Sequence, residues 1–522
     1  MQQTRRYFFG LRGTALRAAQ TWAVIMPAYI LFGWNNAVAG PLLGLPAWVE
    51  TFPAIDTLHT TGEVQQHNAR VQGTVVALYT LGAFFGACSC IYTGDRLGRV
   101  RTIQLGAIVV VIGAILQASS FSLAQLIVGR FVTGLGFGIL SATAPNWQSE
   151  CSDSNYRGAV VVLESLFISA GLALSAWFDL GMSSAAGSVS WRLPLAMSAF
   201  WALIVFFSIR MFPESPRWLV LKGQVDEARE VLATLEGTDS DDALVQANIA
   251  QVAESIERAG EIPFFDIFEN GNLRLFNRAC LACAGQMFQQ LSGINANAFY
   301  ETTIFKQYLG LPGTTALILT GALFSFQTLC SPIGVLTVDK LGRRKLMIIS
   351  AIGMGTCMAM VAGTASQAPA VGFVSVASTF LFLFSLFFPV GFLGMTFLYA
   401  SEISPLMVRV PITAMSTGTA WIFNFMVAEV TPIAFSTIDY KYFIVYACTN
   451  FFLILPSVYL FFPETSGLQL EEVDQIFRES TNIFQPVEVA NSIPRNALLV
   501  NDLEKTKEMD TYAEHQEVAD RM

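Results

Sequence analysis

Gln286, Gln289, Gln290, Asn295, Asn297 and Tyr300 stand close together in an otherwise apolar stretch of this 522-residue chain. At about 100° per residue, Gln286, Gln289, Gln290, Gly293, Asn297 and Tyr300 fall within one arc of a helix, roughly 100° wide. Amides offer donors and acceptors without net charge, so such a face suits a neutral, hydroxylated small molecule. Asn295 lies nearly opposite the arc and joins it only if the helix unwinds near Gly293. Bonding between neighbouring helices is the competing use of the same amides.

The elements that must hold this face are apolar blocks of bilayer length. Hydrophobic residues make up 53% of the chain and charged residues 13%, against about 25% charged in an ordinary soluble domain. The blocks read as spans at 22–44, 71–92, 102–120, 123–145, 158–180, 191–212, 275–300, 313–336, 346–365, 371–400, 412–434 and 440–462, each long enough to cross the hydrocarbon core as a helix. This is an all-α membrane protein of 12 transmembrane helices. Arg5, Arg6, Arg12 and Arg17 precede the first span and Arg96, Arg99 and Arg101 follow the second, so both termini are expected in the cytoplasm. The first block is too long for a signal peptide and is expected to be retained. The formal charge of −9 resides mostly in the acidic tail and indicates no nucleic-acid partner. Cys88/Cys90 and Cys280/Cys283 lie in or beside spans and read as small apolar residues, and His59, His67 and His515 lie outside them. No cofactor, metal cluster, nucleophile with a base, or phosphate loop is recognisable, which argues against an enzyme.

The chain repeats itself. Asp95-Arg96-Leu97-Gly98-Arg99 is echoed by Asp339-Lys340-Leu341-Gly342-Arg343, Glu150 with Arg157 by Glu402 with Arg409, and Pro213-Glu214-Ser215 by Pro463-Glu464-Thr465. The offsets are 244 (339 − 95), 252 (402 − 150) and 250 (464 − 214) residues, which implies two six-helix halves of like orientation. Arg99 and Arg343 are placed to reach Glu150 and Glu402 at the ends of neighbouring helices, and such bonds would hold an inner gate shut. The division expected is a cytoplasmic N-terminus at 1–21, a first half at 22–212, a helical linker at 213–274, a second half at 275–462 and a tail at 463–522. Val225, Ala228, Val231 and Leu232 give the linker an apolar face. From about 480 the tail is charge-rich and aperiodic, and is expected to be disordered.

With these motifs in hand, the chain resembles the sugar porter family of the major facilitator superfamily, especially its fungal members. The resemblance covers about 22–480 and rests on Asp95-Arg96-Leu97-Gly98-Arg99, Gly129-Arg130-Phe131, Pro213-Glu214-Ser215-Pro216-Arg217-Trp218, Gln289-Gln290-Leu291-Ser292-Gly293-Ile294-Asn295 and Pro463-Glu464-Thr465-Ser466-Gly467-Leu468. It implies a rocker-type transporter of small polyhydroxylated solutes, usually monosaccharides, working as a monomer in the plasma membrane by alternating access. It further implies a break near Gly293 and solute contacts at Gln289, Gln290 and Asn295. Asn35 stands where proton symporters of the family carry Asp, which points to facilitated diffusion and leaves Asn35 to bond Arg130. Ser165, preceded by Glu164, stands where a fifth-span Gln is common, and Phe397 stands where a pocket Trp is common. Trp421 and Asn424 match the family, while Ala420 replaces a residue that is often polar. Glu164 and Glu429 are possible intramembrane acids. A smaller amide inventory suits either weaker sugar binding or a larger, less hydroxylated solute. A non-transporting nutrient sensor on the same scaffold would be expected to carry a far longer tail.

Overall fold

The computed structural model describes residues 8–57, 59–152, 157–259, 264–269, 271–367, 370–405, 408–468 and 470–492. Every regular element among them is helical. A bilayer core has no water to satisfy backbone N–H and C=O groups, so the apolar blocks must close their hydrogen bonds within themselves. Eleven helices are long and apolar enough to cross a membrane. The twelfth crossing is interrupted. In chain order the crossings are α1 (Gly13–Leu42), α2 (Gly62–Leu97), α3 (Arg99–Ala118), α4 (Leu123–Cys151), α5 (Arg157–Met182), α6 (Val189–Ile209), α7 (Leu275–Gln289, Gln290–Ile294 and Asn295–Thr303), α8 (Gly313–Leu341) and α9 (Arg343–Ala365). They continue with α10 (Val371–Ile403), α11 (Arg409–Ile438) and α12 (Lys441–Phe461). Several helices extend beyond the expected spans; α2 begins at Gly62, not 71.

Each helix sorts its apolar residues into two faces. On α3, Ile103, Ala107, Val110 and Ala114 are buried, while Leu105, Ile108, Ile112 and Ile115 are 39–58% exposed. An outward stripe of large aliphatic side chains would be an aggregation surface in water; against lipid it is the expected solvent-facing side. Inside, small residues let backbones approach. Gly82 and Gly86 of α2 meet Gly134 and Gly138 of α4 so closely that a methyl at any of the four would overlap a carbonyl of the other helix, the small-xxx-small packing of membrane helices.

The halves α1–α6 and α7–α12 meet mainly where α2 packs on α11 and α5 on α8. The hydroxyls of Ser169 and Ser331 share a bond of 2.9 Å, Trp177 donates to Ser325 (2.8 Å), and Thr74 donates to Glu429 (2.8 Å). A methyl on Gly40 of α1 would come within 2.7 Å of the Phe299 carbonyl of α7. Between the halves lie helices Pro216–Leu221, Val225–Glu236 and Ala243–Ala259. Ala228 and Val231 are buried, Leu232 is half-buried, and Val225 is exposed. Arg17 ties the start of α1 to the linker through Glu236 (2.7 Å).

The tail departs from expectation. Leu470–Glu479 and Gln485–Ser492 are both helical. Val473, Ile476 and Phe477 are buried, and Arg278 of α7, itself buried, donates to Asp474 (2.5 Å) and stacks on Phe477. The second helix starts because Asn482 accepts the N–H groups of Phe484 and Gln485 (3.0 Å each), an N-terminal cap that a search for apolar periodicity overlooks. Residues 493–522 lie outside the described residues.

Gly98 and Gly342 join α2 to α3 and α8 to α9 at φ 88°, ψ 171° and φ 87°, ψ 160°, a backbone region essentially reserved for glycine. A side chain would also strike the carboxylate of Glu214 or Glu464. Gly98→Ala and Gly342→Ala are each expected to cost about 1–3 kcal/mol, seen as a lower melting temperature of the detergent-purified protein, whereas Gly94→Ala, with open space around it, should leave melting unchanged.

Candidate functional site

Glycine at 293 takes φ +108° and breaks α7 inside a widened turn, Gln290–Ile294. The break does what Asn295 needed. The Asn295 amide donates to Gln290 Oε1 (2.6 Å), Gln290 donates to Gln289 Oε1 (2.8 Å), and Gln289 spends both amide hydrogens on the carbonyls of Phe392 (2.9 Å) and Leu393 (3.0 Å). Those carbonyls belong to the widened turn Pro389–Leu393 of α10. The amide chain therefore joins the irregular turn of α7 to that of α10.

The expected arc survives in part. Gln286 is fully buried with neither amide atom partnered, and Asn424 Oδ1 on α11 and Asn36 Oδ1 on α1 are likewise buried without a partner. Burying an unsatisfied polar atom costs about 1–3 kcal/mol, so these atoms favour a hydrogen-bonding solute. Asn297 does not join the cluster. Two residues beyond Asn295, it sits about 200° around the outer helix of α7, and both its amide atoms are buried without partners, as are those of Gln286. The break brings Asn295 into the amide chain, and Asn297 makes no bond to it.

Trp421 of α11 packs on Phe32 of α1 and Phe137 of α4, each at 5.7 Å between ring centroids, forming an aromatic contact between the halves. Phe397 is half-buried on α10, and Ser165 is buried on α5 beside Glu164, whose carboxylate bonds the Tyr29 hydroxyl. Asn35 does not bond Arg130. It donates to the Leu31 carbonyl one turn back (3.0 Å) and accepts from Ser198 of α6 (2.9 Å), which uses it as a helix-packing group. Arg130 instead donates to the carbonyls of Val75 and Val76 (3.4 Å each) and lies over the Tyr79 ring.

At the face carrying the repeated motifs, two matching knots form. Arg99 grips both oxygens of Glu150 (3.0 and 3.1 Å), and Glu214 accepts the backbone N–H groups of Arg99 (2.9 Å) and Val100 (3.1 Å). In the second half Arg343 grips Glu402 (3.2 and 2.8 Å), and Glu464 accepts the N–H groups of Arg343 (2.7 Å) and Arg344 (3.1 Å). Burial pushes the Glu214 carboxyl up from the ordinary glutamate range, against those N–H groups and Arg99, which pull it down. Each knot lies within one half, so neither is a bond across the gap between halves. Arg96 is exposed and stacks on Tyr92, and Arg409 donates to the Ser404 carbonyl (3.4 Å). The side chains of Asp95, Arg157 and Asp339 lie outside the described residues.

Three site features escaped the reading of spacing alone. Glu214 and Glu464 were visible as a repeat but not as caps for the first N–H groups of α3 and α9. Glu301, one turn beyond Asn297, is 1% exposed with neither carboxylate oxygen partnered; a single acid inside an apolar span was its signal. Thr449 and Asn450 of α12 hold carbonyls of the α7 break.

The family model described as "Sugar (and other) transporter" matches residues 21–477. The chain belongs to this family. It is a membrane transporter with the major facilitator fold, not an enzyme. Among this transporter's relatives, the MFS-type transporter oryC of Aspergillus oryzae is 35% identical over 92% of this chain and 89% of its own. The sugar transporter STL1 of Saccharomyces cerevisiae is 33% identical over 95% and 87%. The proton:xylose symporter XylE from E. coli, solved with 6-bromo-6-deoxy-D-glucose, superposes with a TM-score of 0.75 at 21% identity, covering 89% of this chain and 100% of that one.

Hydrogen bonds to charged groups contribute about 1.5–3 kcal/mol each. Arg343→Gln is therefore expected to lower the melting temperature, and adding Glu402→Gln should restore part of the loss by removing the stranded carboxylate. A double variant that melts as the sum of the two singles would show that the pair is not coupled.

Proposed function

We propose that this transporter carries a monosaccharide or similar small polyhydroxylated solute by alternating access, as a monomer in the plasma membrane with both termini cytoplasmic. The observation that carries the reading is the buried amide chain Gln289–Gln290–Asn295 at the α7 break, with unpartnered amide atoms of Gln286 and Asn424 available on α7 and α11. The sugar transporters among its relatives support the same substrate class. Gln290 and Asn295 are the direct solute contacts, Gln289 being committed to α10, and Trp421 and Phe397 supply apolar walls. Ser165 stands at the position of the missing amide on α5. The knots of Arg99 and Arg343 act in gating by fixing the helix ends of each half, so that the halves rock as units.

Carriage is facilitative, because Asn35 has no proton to exchange and is occupied by Leu31 and Ser198. A proton-coupled reading is favoured by Glu301, which is buried with neither carboxylate oxygen hydrogen-bonded, a placement that disfavours an ionised carboxylate. A non-sugar metabolite is the remaining alternative, favoured by the small amide inventory.

Two measurements decide these points. Gln290→Ala, matched for surface expression in cells lacking hexose carriers, is expected to weaken apparent affinity for D-glucose or D-xylose roughly two- to tenfold, the value of one neutral hydrogen bond; unchanged affinity would remove Gln290 from the site. In proteoliposomes with an imposed pH gradient, facilitated carriage predicts equilibration without accumulation. Accumulation abolished by a protonophore would reject it, and loss of that accumulation in Glu164→Gln or Glu301→Gln would identify the proton-carrying carboxyl.

A further inference from the structure

Breaking a helix inside a membrane frees backbone carbonyls that neither water nor lipid can satisfy, so the partners that take them up decide whether the break persists. At α7 the carbonyls of Gln289, Leu291 and Ser292 accept hydrogen bonds from side chains. Ser292 donates to the Gln289 carbonyl (2.7 Å), Thr449 to that of Leu291 (3.0 Å), and Asn450 to that of Ser292 (3.0 Å). Thr449 and Asn450 open a widened turn of α12, Thr449–Ile454, facing the widened turn of α7. Asn450 is fully buried, and its other amide hydrogen bonds the Tyr446 carbonyl in its own helix (2.8 Å). Helices α9 and α12 enclose Gly293: a methyl there would approach Met358 of α9 to 2.9 Å and Tyr446 of α12 to 3.1 Å.

We propose that Asn450, supported by Thr449, is a positioning residue for solute recognition: it holds the α7 break open from behind and thereby keeps Asn295 bonded to Gln290. The inference rests on the assignment of Gln290 and Asn295 as solute contacts for its effect on affinity, but its structural content does not. Without the donor at 450, the carbonyl of Ser292 regains a partner by rewinding α7, and rewinding returns Asn295 to the far side of the helix while bringing Asn297 round to the amide arc. Asn450 thus sets which of two asparagines faces the solute without touching it.

The test separates the two layers. Asn450→Leu keeps the side-chain volume and removes the donor. In single-cysteine replacements at 295 and at 297, labelling by a water-soluble thiol reagent, read peptide by peptide in the purified full-length protein, needs no solute. Asn295→Cys is expected to label faster than Asn297→Cys in the parent and the order to reverse with Asn450→Leu; an unchanged order would overturn the proposal. For uptake of D-glucose or D-xylose, Asn450→Leu is expected to raise KM roughly two- to tenfold and to add nothing in an Asn295→Ala background. Independent, additive losses would show a structural role only and also overturn it. Should the leucine variant fail to reach the membrane, Thr449→Val, which removes the neighbouring donor, must shift the same labelling ratio in the same direction. If labelling reverses while Gln290→Ala leaves affinity unchanged, the positioning stands and the solute assignment falls.

Discussion

A helix in a bilayer has no free choice about its carbonyls, and that constraint governs the centre of this transporter. Gly293 introduces a break that lipid would forbid, and the structure meets the demand with hydroxyls and amides on α7 and α12. Everything at the site follows: Asn295 enters the arc, Gln290 and Gln289 link it to α10, and α10 supplies carbonyls from its own widened turn. The polar groups that make a hydroxyl-binding surface are the same groups that keep the broken helices satisfied. This explains why they are amides; a charged side chain would demand a counter-charge in the same apolar setting.

The two halves solve a different problem by repetition. Glu214 and Glu464 each cap a helix whose preceding glycine has a conformation other residues avoid, while Arg99 and Arg343 reach the next acid. The geometry is the same in both halves because the sequence is, and internal repetition proved a reliable guide. The repeated residues include both pairs that bond, Arg99 with Glu150 and Arg343 with Glu402. What repetition missed was the division of labour within the knots, because a capping carboxylate looks in sequence like any acid after a span.

Much of the architecture was legible from block length, and the site from amide periodicity, up to the point where the helix ceases to be regular. Periodicity placed Asn297 in the arc and Asn295 outside it, whereas in the broken helix it is Asn295 that bonds Gln290. The family resemblance paired Asn35 with Arg130, whereas the fold satisfies Asn35 through Leu31 and Ser198. Glu301 and Asn450 went unused for different reasons: the expected span 275–300 stops one residue short of Glu301, and Asn450 bonds the backbone of α7. The capped helix at 485–492 was hidden beneath acidic composition that suggests disorder.

The bonds across the seam between the halves have a consequence for motion. Within each half, arginine–carboxylate pairs and closely packed glycine-lined helices make stiff blocks. Across the seam, the contacts include hydroxyl pairs such as Ser169 with Ser331 and a tryptophan–serine bond, each worth little and each replaceable by a neighbour along the same helix. A joint built from small, separate hydrogen bonds can be released one bond at a time, so rotation of one block on the other does not require the whole seam to open at once.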